Sequence, residues 1–175
     1  MSCPINHSNN MPPPESLQEP NPNLSKERED SSIPQPNGSR WIYPSPLMFF
    51  NALKRKGYDT EPEDVDVMVS IHNSLNEQTW NQLLQVEQKL HPSGDEIYLV
   101  EFKGRPQEPT PKAFFYSFLG VHTFDRHDWT IKRGDKLVRY VIDYYDTGEN
   151  GINVDLRPAL DSFGSIFDRI KMLFW

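Results

Sequence analysis

Between Leu47 and Leu90 the apolar residues recur at three- and four-residue spacing, whereas from Ile97 to Leu156 they alternate or run together and are rich in β-branched and aromatic types. The helical spacing returns after Ser162. Pro44-Ser45-Pro46 predicts a helix start with Ser45 as cap, and the run from Leu47 to Leu53 closes on Lys54-Arg55-Lys56-Gly57. Thr60 and Glu63 have the spacing of a capping box ahead of Val65, Met68, Val69 and His72, which share one face of a second helix. Ser74 and Glu77 repeat that spacing, so a third helix is predicted through Trp80, Leu83, Leu84 and Glu87 to Leu90, closed by His91-Pro92. His72 then falls at the corner between the two helices. Glu96 to Phe102 reads as a strand, Lys112 to Gly120 fits strand or helix, and His127 to Tyr145 reads as a hairpin turning at Arg133-Gly134-Asp135. A strand at Ile152 to Leu156 precedes a last helix, capped by Asp161 or Ser162, with an apolar stripe of Phe163, Ile166, Phe167, Ile170 and Phe174. Helices, then a small antiparallel sheet, then a C-terminal amphipathic helix make an α+β unit.

Composition sets where that unit begins. Many of the 16 prolines lie ahead of Trp41, in a stretch that has almost no aromatic or β-branched residues. Residues 1–40 therefore read as a disordered tail and 41–175 as a single folded domain. The formal charge of −7 argues against a nucleic-acid binder, which needs a cationic surplus, and suits a basic partner. No apolar run approaches the ~20 residues that cross a bilayer, and the N-terminus lacks the basic-then-apolar order of a secretory signal. The one cysteine, Cys3, lies in the tail, so thiol chemistry in the folded part must use a partner's thiols.

The motifs for phosphate cradling, dinucleotide binding, ester hydrolysis and zinc proteolysis are absent. His72 on an apolar helix face reads either as a packed core residue or as a ligand. Glu77 reads as the return half of a capping box, and Trp80 as core. His122, Asp125, His127 and Asp128 have a spacing compatible with a divalent metal, but strand alternation sends His127 and Asp128 to opposite faces, which favours a hydrogen-bonded corner. Cys3-Pro4, with His7 nearby, can offer a thiolate to haem iron or simply belong to the tail. The abundance of aromatic surface around Trp41, Trp80 and Trp129 suits a large flat ligand.

Five ordered blocks carry a family resemblance: WIYPSPLMFFNALKRKG from Trp41, IHNSLNEQTW from Ile71, FDRHDWTIKR from Phe124, VRYVIDYY from Val138 and DLRPALDS from Asp155. Together they resemble the mitochondrial cytochrome c haem lyases, or holocytochrome c synthases, and the CPINH segment at Cys3 is similar to the Cys-Pro haem-regulatory motif. The resemblance implies a lyase that joins haem b, a bound co-substrate, to the CxxCH thiols of apocytochrome c through thioether bonds. It also implies that His72 is the axial ligand of the haem iron, that Trp41 and Tyr43 lie near the haem, and that Glu77 and Arg133 support its binding. Asn73 either orients the His72 ring or ends its helix. His127 and Asp128 form a structural corner or meet the haem edge, and Cys3 assists delivery. Apocytochrome c1 is an alternative or additional partner. The implied location is the mitochondrial intermembrane space, peripherally on the inner membrane. The alternative activity is a non-catalytic haem-binding chaperone or sensor.

Overall fold

The computed structural model describes residues 23–92, 94–148 and 151–174. Its contacts divide the chain into two compact units, Met1–Trp80 and Asn81–Trp175.

In the first unit, strands β1 (Asp30–Pro34) and β2 (Arg40–Ile42) pair antiparallel. The turn between them closes through the Gly38 amide on the Gln35 carbonyl, and Gly38 adopts a positive φ of 83° that favours glycine. The hairpin departs from the expectation of a disordered tail up to residue 40. Composition misses it because a few apolar side chains suffice: Leu24, Ile33, Trp41 and Tyr43 are all buried. Helix α1 (Pro46–Arg55) starts as predicted, with the Ser45 hydroxyl accepting from the Met48 amide. Its Leu47 and Phe50 pack with Leu24, Val65 and Val69 into one core.

Helix α2 (Val65–Leu90) replaces the two predicted helices. No proline or glycine interrupts it, so each amide near His72 can find a carbonyl four residues back, and the local signal at Ser74 loses to propagation of the helix. His72 consequently lies within a helix and not at a corner. The predicted cap at Thr60 is also corrected. A 3-10 turn over Pro62–Asp64 leads into the helix after Glu61, with no side-chain cap.

The second unit holds the sheet β3 (Ile97–Gly104), β4 (Thr123–Arg133), β5 (Lys136–Asp146) and β6 (Ile152–Pro158), in sequence order and antiparallel throughout. The β4–β5 hairpin turns where predicted, with Arg133 opposite Lys136 and Gly134 at positive φ. Trp129 pairs with Tyr140 and Ile131 with Val138, all buried, so cross-strand packing fixes the register. The ambiguous segment after Thr110 is a helix, α3 (Pro111–Ser117), because Thr110 caps it and Pro111 suits a first helical position. Helix α4 (Phe163–Lys171) is capped by Ser162. Among the described residues no helix is long and apolar enough to cross a membrane.

A buried ion pair ties β5 to β6. Asp143, fully buried, accepts from Arg157 and from the Thr110 hydroxyl, the latter at 2.6 Å. Beside it, burial and the Asp143 charge push the Tyr145 phenol up to about 12. Asp143→Ala removes one of the two carboxylates that pair with Arg157, leaving Asp155 at 2.8 Å, and is expected to destabilise the fold by about 1.5–3 kcal/mol, read by urea denaturation. The raised folded-state value means that the neutral phenol favours the folded state. This contribution is complete below the unfolded tyrosine value of 10.0 and is lost as pH rises through about 12. Denaturation midpoints measured across that range should fall more steeply for the parent than for Tyr145→Phe.

Candidate functional site

The site of interest in the first unit is built on two adjoining faces of α2. On one, the His72 ring is half-buried and its Nδ1 lies 2.7 Å from the Met68 carbonyl oxygen. A carbonyl only accepts, so Nδ1 carries the proton and Nε2 carries the lone pair. No hydrogen bond engages Nε2 among the described residues. The Phe49 ring sits beside the imidazole, with centroids 5.0 Å apart. Ile71 and Val67 are exposed on the same stretch of helix. The result is an imidazole oriented by its own helix, whose Nε2 is an available donor atom in the neutral ring, amid apolar surface.

The second face holds the hairpin. Glu77 Oε1 accepts from the Ser32 amide and from the Tyr43 phenol, each at 2.9 Å, and Oε2 accepts from the Ser32 hydroxyl. One turn earlier, the buried Asn73 donates to Glu29 Oε2 at 2.8 Å. Glu77 is therefore not the return half of a capping box, because the backbone of Ser74 is inside the helix. Asn73 neither orients the His72 ring nor ends the helix; it binds the incoming chain. Trp41 and Tyr43 are both buried, and the Tyr43 phenol is donated to Glu77. Sequence reasoning missed Glu29, Ser32, Phe49 and Met68. Met68 had a signal, since it stands one helical turn before His72. Ser32 had none, because its partner is 45 positions away.

The remaining predicted residues lie in the second unit. Arg133 Nη1 pairs with Glu87 Oε2 at 2.6 Å, and Tyr140 donates its phenol to Glu87 Oε1 at 2.6 Å. Burial first, and the Glu87 charge second, raise the Tyr140 phenol far above its ordinary range. Arg133 is thus committed to a buried internal carboxylate. His127 on β4 is buried, with Nε2 2.9 Å from Asp125 Oδ2 and its ring 4.5 Å from that of Phe102. Its Nδ1 finds no hydrogen-bond partner among the described residues. Asp128 serves different partners: Arg105 at 3.3 Å, Arg126 at 3.1 Å and Arg139 at 2.8 Å. His127 and Asp128 are accordingly a buried corner whose two side chains do separate work. Cys3 lies outside the described residues.

A clear ranking of substitutions follows at Glu77. Gln retains an acceptor for the Ser32 amide and Tyr43 phenol, so it should be milder than Ala, and Lys should be the most damaging. Tyr43→Phe removes one hydrogen bond to a charged group and is expected to cost about 1.5–3 kcal/mol, measured by chemical denaturation.

A family model described as cytochrome c/c1 heme lyase matches residues 2–173. The chain is 43% identical to a holocytochrome c-type synthase of Gallus gallus, across 98% of this chain and 68% of that protein. It is 41% identical to the holocytochrome c-type synthase of Homo sapiens, across 98% of this chain and 69% of the relative. It is 36% identical to the holocytochrome-c synthase of Saccharomyces cerevisiae, across 95% and 74% respectively. No solved structure matches the chain.

Proposed function

The chain belongs to the cytochrome c/c1 haem lyase family, a family of lyases, and from that premise we propose that it is a holocytochrome c synthase that grips haem b through His72. The observation that supports His72 is the Nδ1 hydrogen bond to the Met68 carbonyl, which leaves the Nε2 lone pair on a half-buried, apolar-flanked ring. That carbonyl fixes the tautomer and the ring orientation, which is how metal-binding histidines are commonly held.

Haem and apocytochrome c are both substrates in this reading. Nε2 of His72 takes one axial position of the iron, and the histidine of the partner's CxxCH segment takes the other. The two cysteines are then held beside the vinyl groups. Each S–H adds across a vinyl C=C: the sulfur bonds to one carbon, the hydrogen goes to the other, and no oxidant or reductant is consumed. Holding these groups in register supplies the acceleration, which for well-oriented reactants reaches about 7–11 kcal/mol. No protein nucleophile is required.

Glu77, Asn73 and Tyr43 act as positioning residues, since their polar groups are spent on holding the hairpin against α2. Trp41 contributes from the buried side of that hairpin. Arg133 and His127 contribute through the integrity of the second unit, and Cys3 assists haem delivery. The negative charge of the chain steers a basic apocytochrome toward it, with apocytochrome c1 a further substrate. The setting we propose is the mitochondrial intermembrane space, with peripheral attachment to the inner membrane.

Co-expression with apocytochrome c tests the assignment. His72→Ala should lose the ligated haem spectrum and reduce covalently attached haem to background, while Cys3→Ala should retain most of the product. Wild-type product and spectrum in the His72 variant would overturn the assignment. A parent protein that binds haem yet never yields acid-stable attachment would instead identify a haem chaperone or sensor.

A further inference from the structure

Helix α4 faces the wrong way for a helix of a water-soluble domain. Its apolar stripe is exposed, with Phe163 at 93%, Phe167 at 59% and Ile170 at 47%, and the stripe continues into the following turn with Leu173 at 78% and Phe174 at 84%. The buried positions are polar instead: Ser165 and Asp168. Polar contacts hold that inner side. Asp168 Oδ2 meets His91 Nε2 at 2.8 Å, and Arg169 Nη1 donates to the Pro158 carbonyl at 3.2 Å. The orientation is therefore set by specific bonds, and the exposure of five large apolar side chains is a property of the fold.

The charges that accompany this stripe select what covers it. On α4 the single carboxylate is buried and engaged, while Lys171 is exposed and Arg169 is half-exposed. The helix thus presents cations in a chain whose formal charge is −7. Lys171 also lays its ammonium 4.9 Å from the centre of the Phe167 ring, so its stem runs along the apolar stripe while its charge stays at the edge. A basic polypeptide is disfavoured by this sign of charge. An anionic planar surface with an apolar interior matches both features. The nine residues of α4 rise only about 14 Å, half the hydrocarbon thickness, so the helix can lie in the interface and cannot span it.

We propose that α4 and its following turn form a monotopic membrane contact that inserts Phe163, Phe167, Ile170, Leu173 and Phe174 among the acyl chains of an anionic bilayer, with Lys171 at the headgroups. The inference deepens the peripheral attachment proposed above and rests on it.

Co-sedimentation of the full chain with vesicles provides the test. Vesicles of phosphatidylcholine with about one-third phosphatidylglycerol are compared with phosphatidylcholine alone. The parent should bind the anionic vesicles, and Phe163→Asp/Phe167→Asp/Leu173→Asp should bind at least tenfold more weakly with an unchanged circular dichroism spectrum. Lys171→Glu should weaken binding to anionic vesicles and leave the weaker binding to neutral ones unmoved. Equal binding by parent and triple variant overturns the role of α4 while peripheral attachment stands. Failure of the parent to bind either vesicle overturns both. Loss of self-association, or of apocytochrome c binding in the absence of lipid, in the triple variant would assign the stripe to a protein partner and overturn the proposal.

Discussion

A single carboxylate organises the first unit. Glu77 receives the Ser32 amide, the Ser32 hydroxyl and the Tyr43 phenol, so one side chain of α2 anchors the first strand of the N-terminal hairpin and the residue that follows its second. Asn73 repeats the grip one turn earlier through Glu29. His72 stands beside Asn73 but is oriented independently, by the carbonyl of Met68 on its own helix. The helix therefore serves two purposes that do not compete: one face fixes the hairpin, and the neighbouring face presents an imidazole nitrogen. That separation is what allows the His72 ring to remain half-buried without being consumed by the core.

The second unit depends on charges taken inside and matched. Glu87 is nearly inaccessible and is satisfied by Arg133 and Tyr140, while Asp143 is fully inaccessible and receives Arg157 and Thr110 on one oxygen, Oδ2, its Oδ1 having no hydrogen-bond partner among the described residues. Asp128 is shared among three arginines. Such groups add little net stability over an apolar core, yet losing one partner leaves an uncompensated charge, so they penalise incorrect registers of the sheet. Arg133 belongs to this scheme. Its guanidinium is spent on Glu87, which ties the end of β4 to the C-terminal part of α2.

Several elements were readable along the chain because their determinants are local. Ser45 ahead of Pro46, the glycine turn after Arg133 and the alternation on either side of it all specify conformation within a few residues. The cap signals at Thr60 and Ser74 were local too, and both misled. Pro62 turned the first into a 3-10 entry, and the second was overridden by an uninterrupted helix whose would-be capping carboxylate had a better partner across the fold. The hairpin over residues 30–42 was invisible for the converse reason: it is held by α2 and by the buried aromatic residues Trp41, in its second strand, and Tyr43, just after it, not by its largely polar first strand and turn.

By itself the sequence determined the α+β class, the β4–β5 turn, the family, and His72 as the residue to watch, since periodicity and ordered blocks are properties of neighbouring positions. Tertiary structure decided which nitrogen of His72 holds a lone pair, that Glu77 and Asn73 bind the hairpin, that Arg133 is internally paired, and that α4 turns its apolar stripe outward. Each of these depends on a partner chosen by folding. Spacing reveals that a side chain lies on a given face, but only the packed chain establishes what meets that face, and hydrogen bonds and ion pairs form with whatever is there.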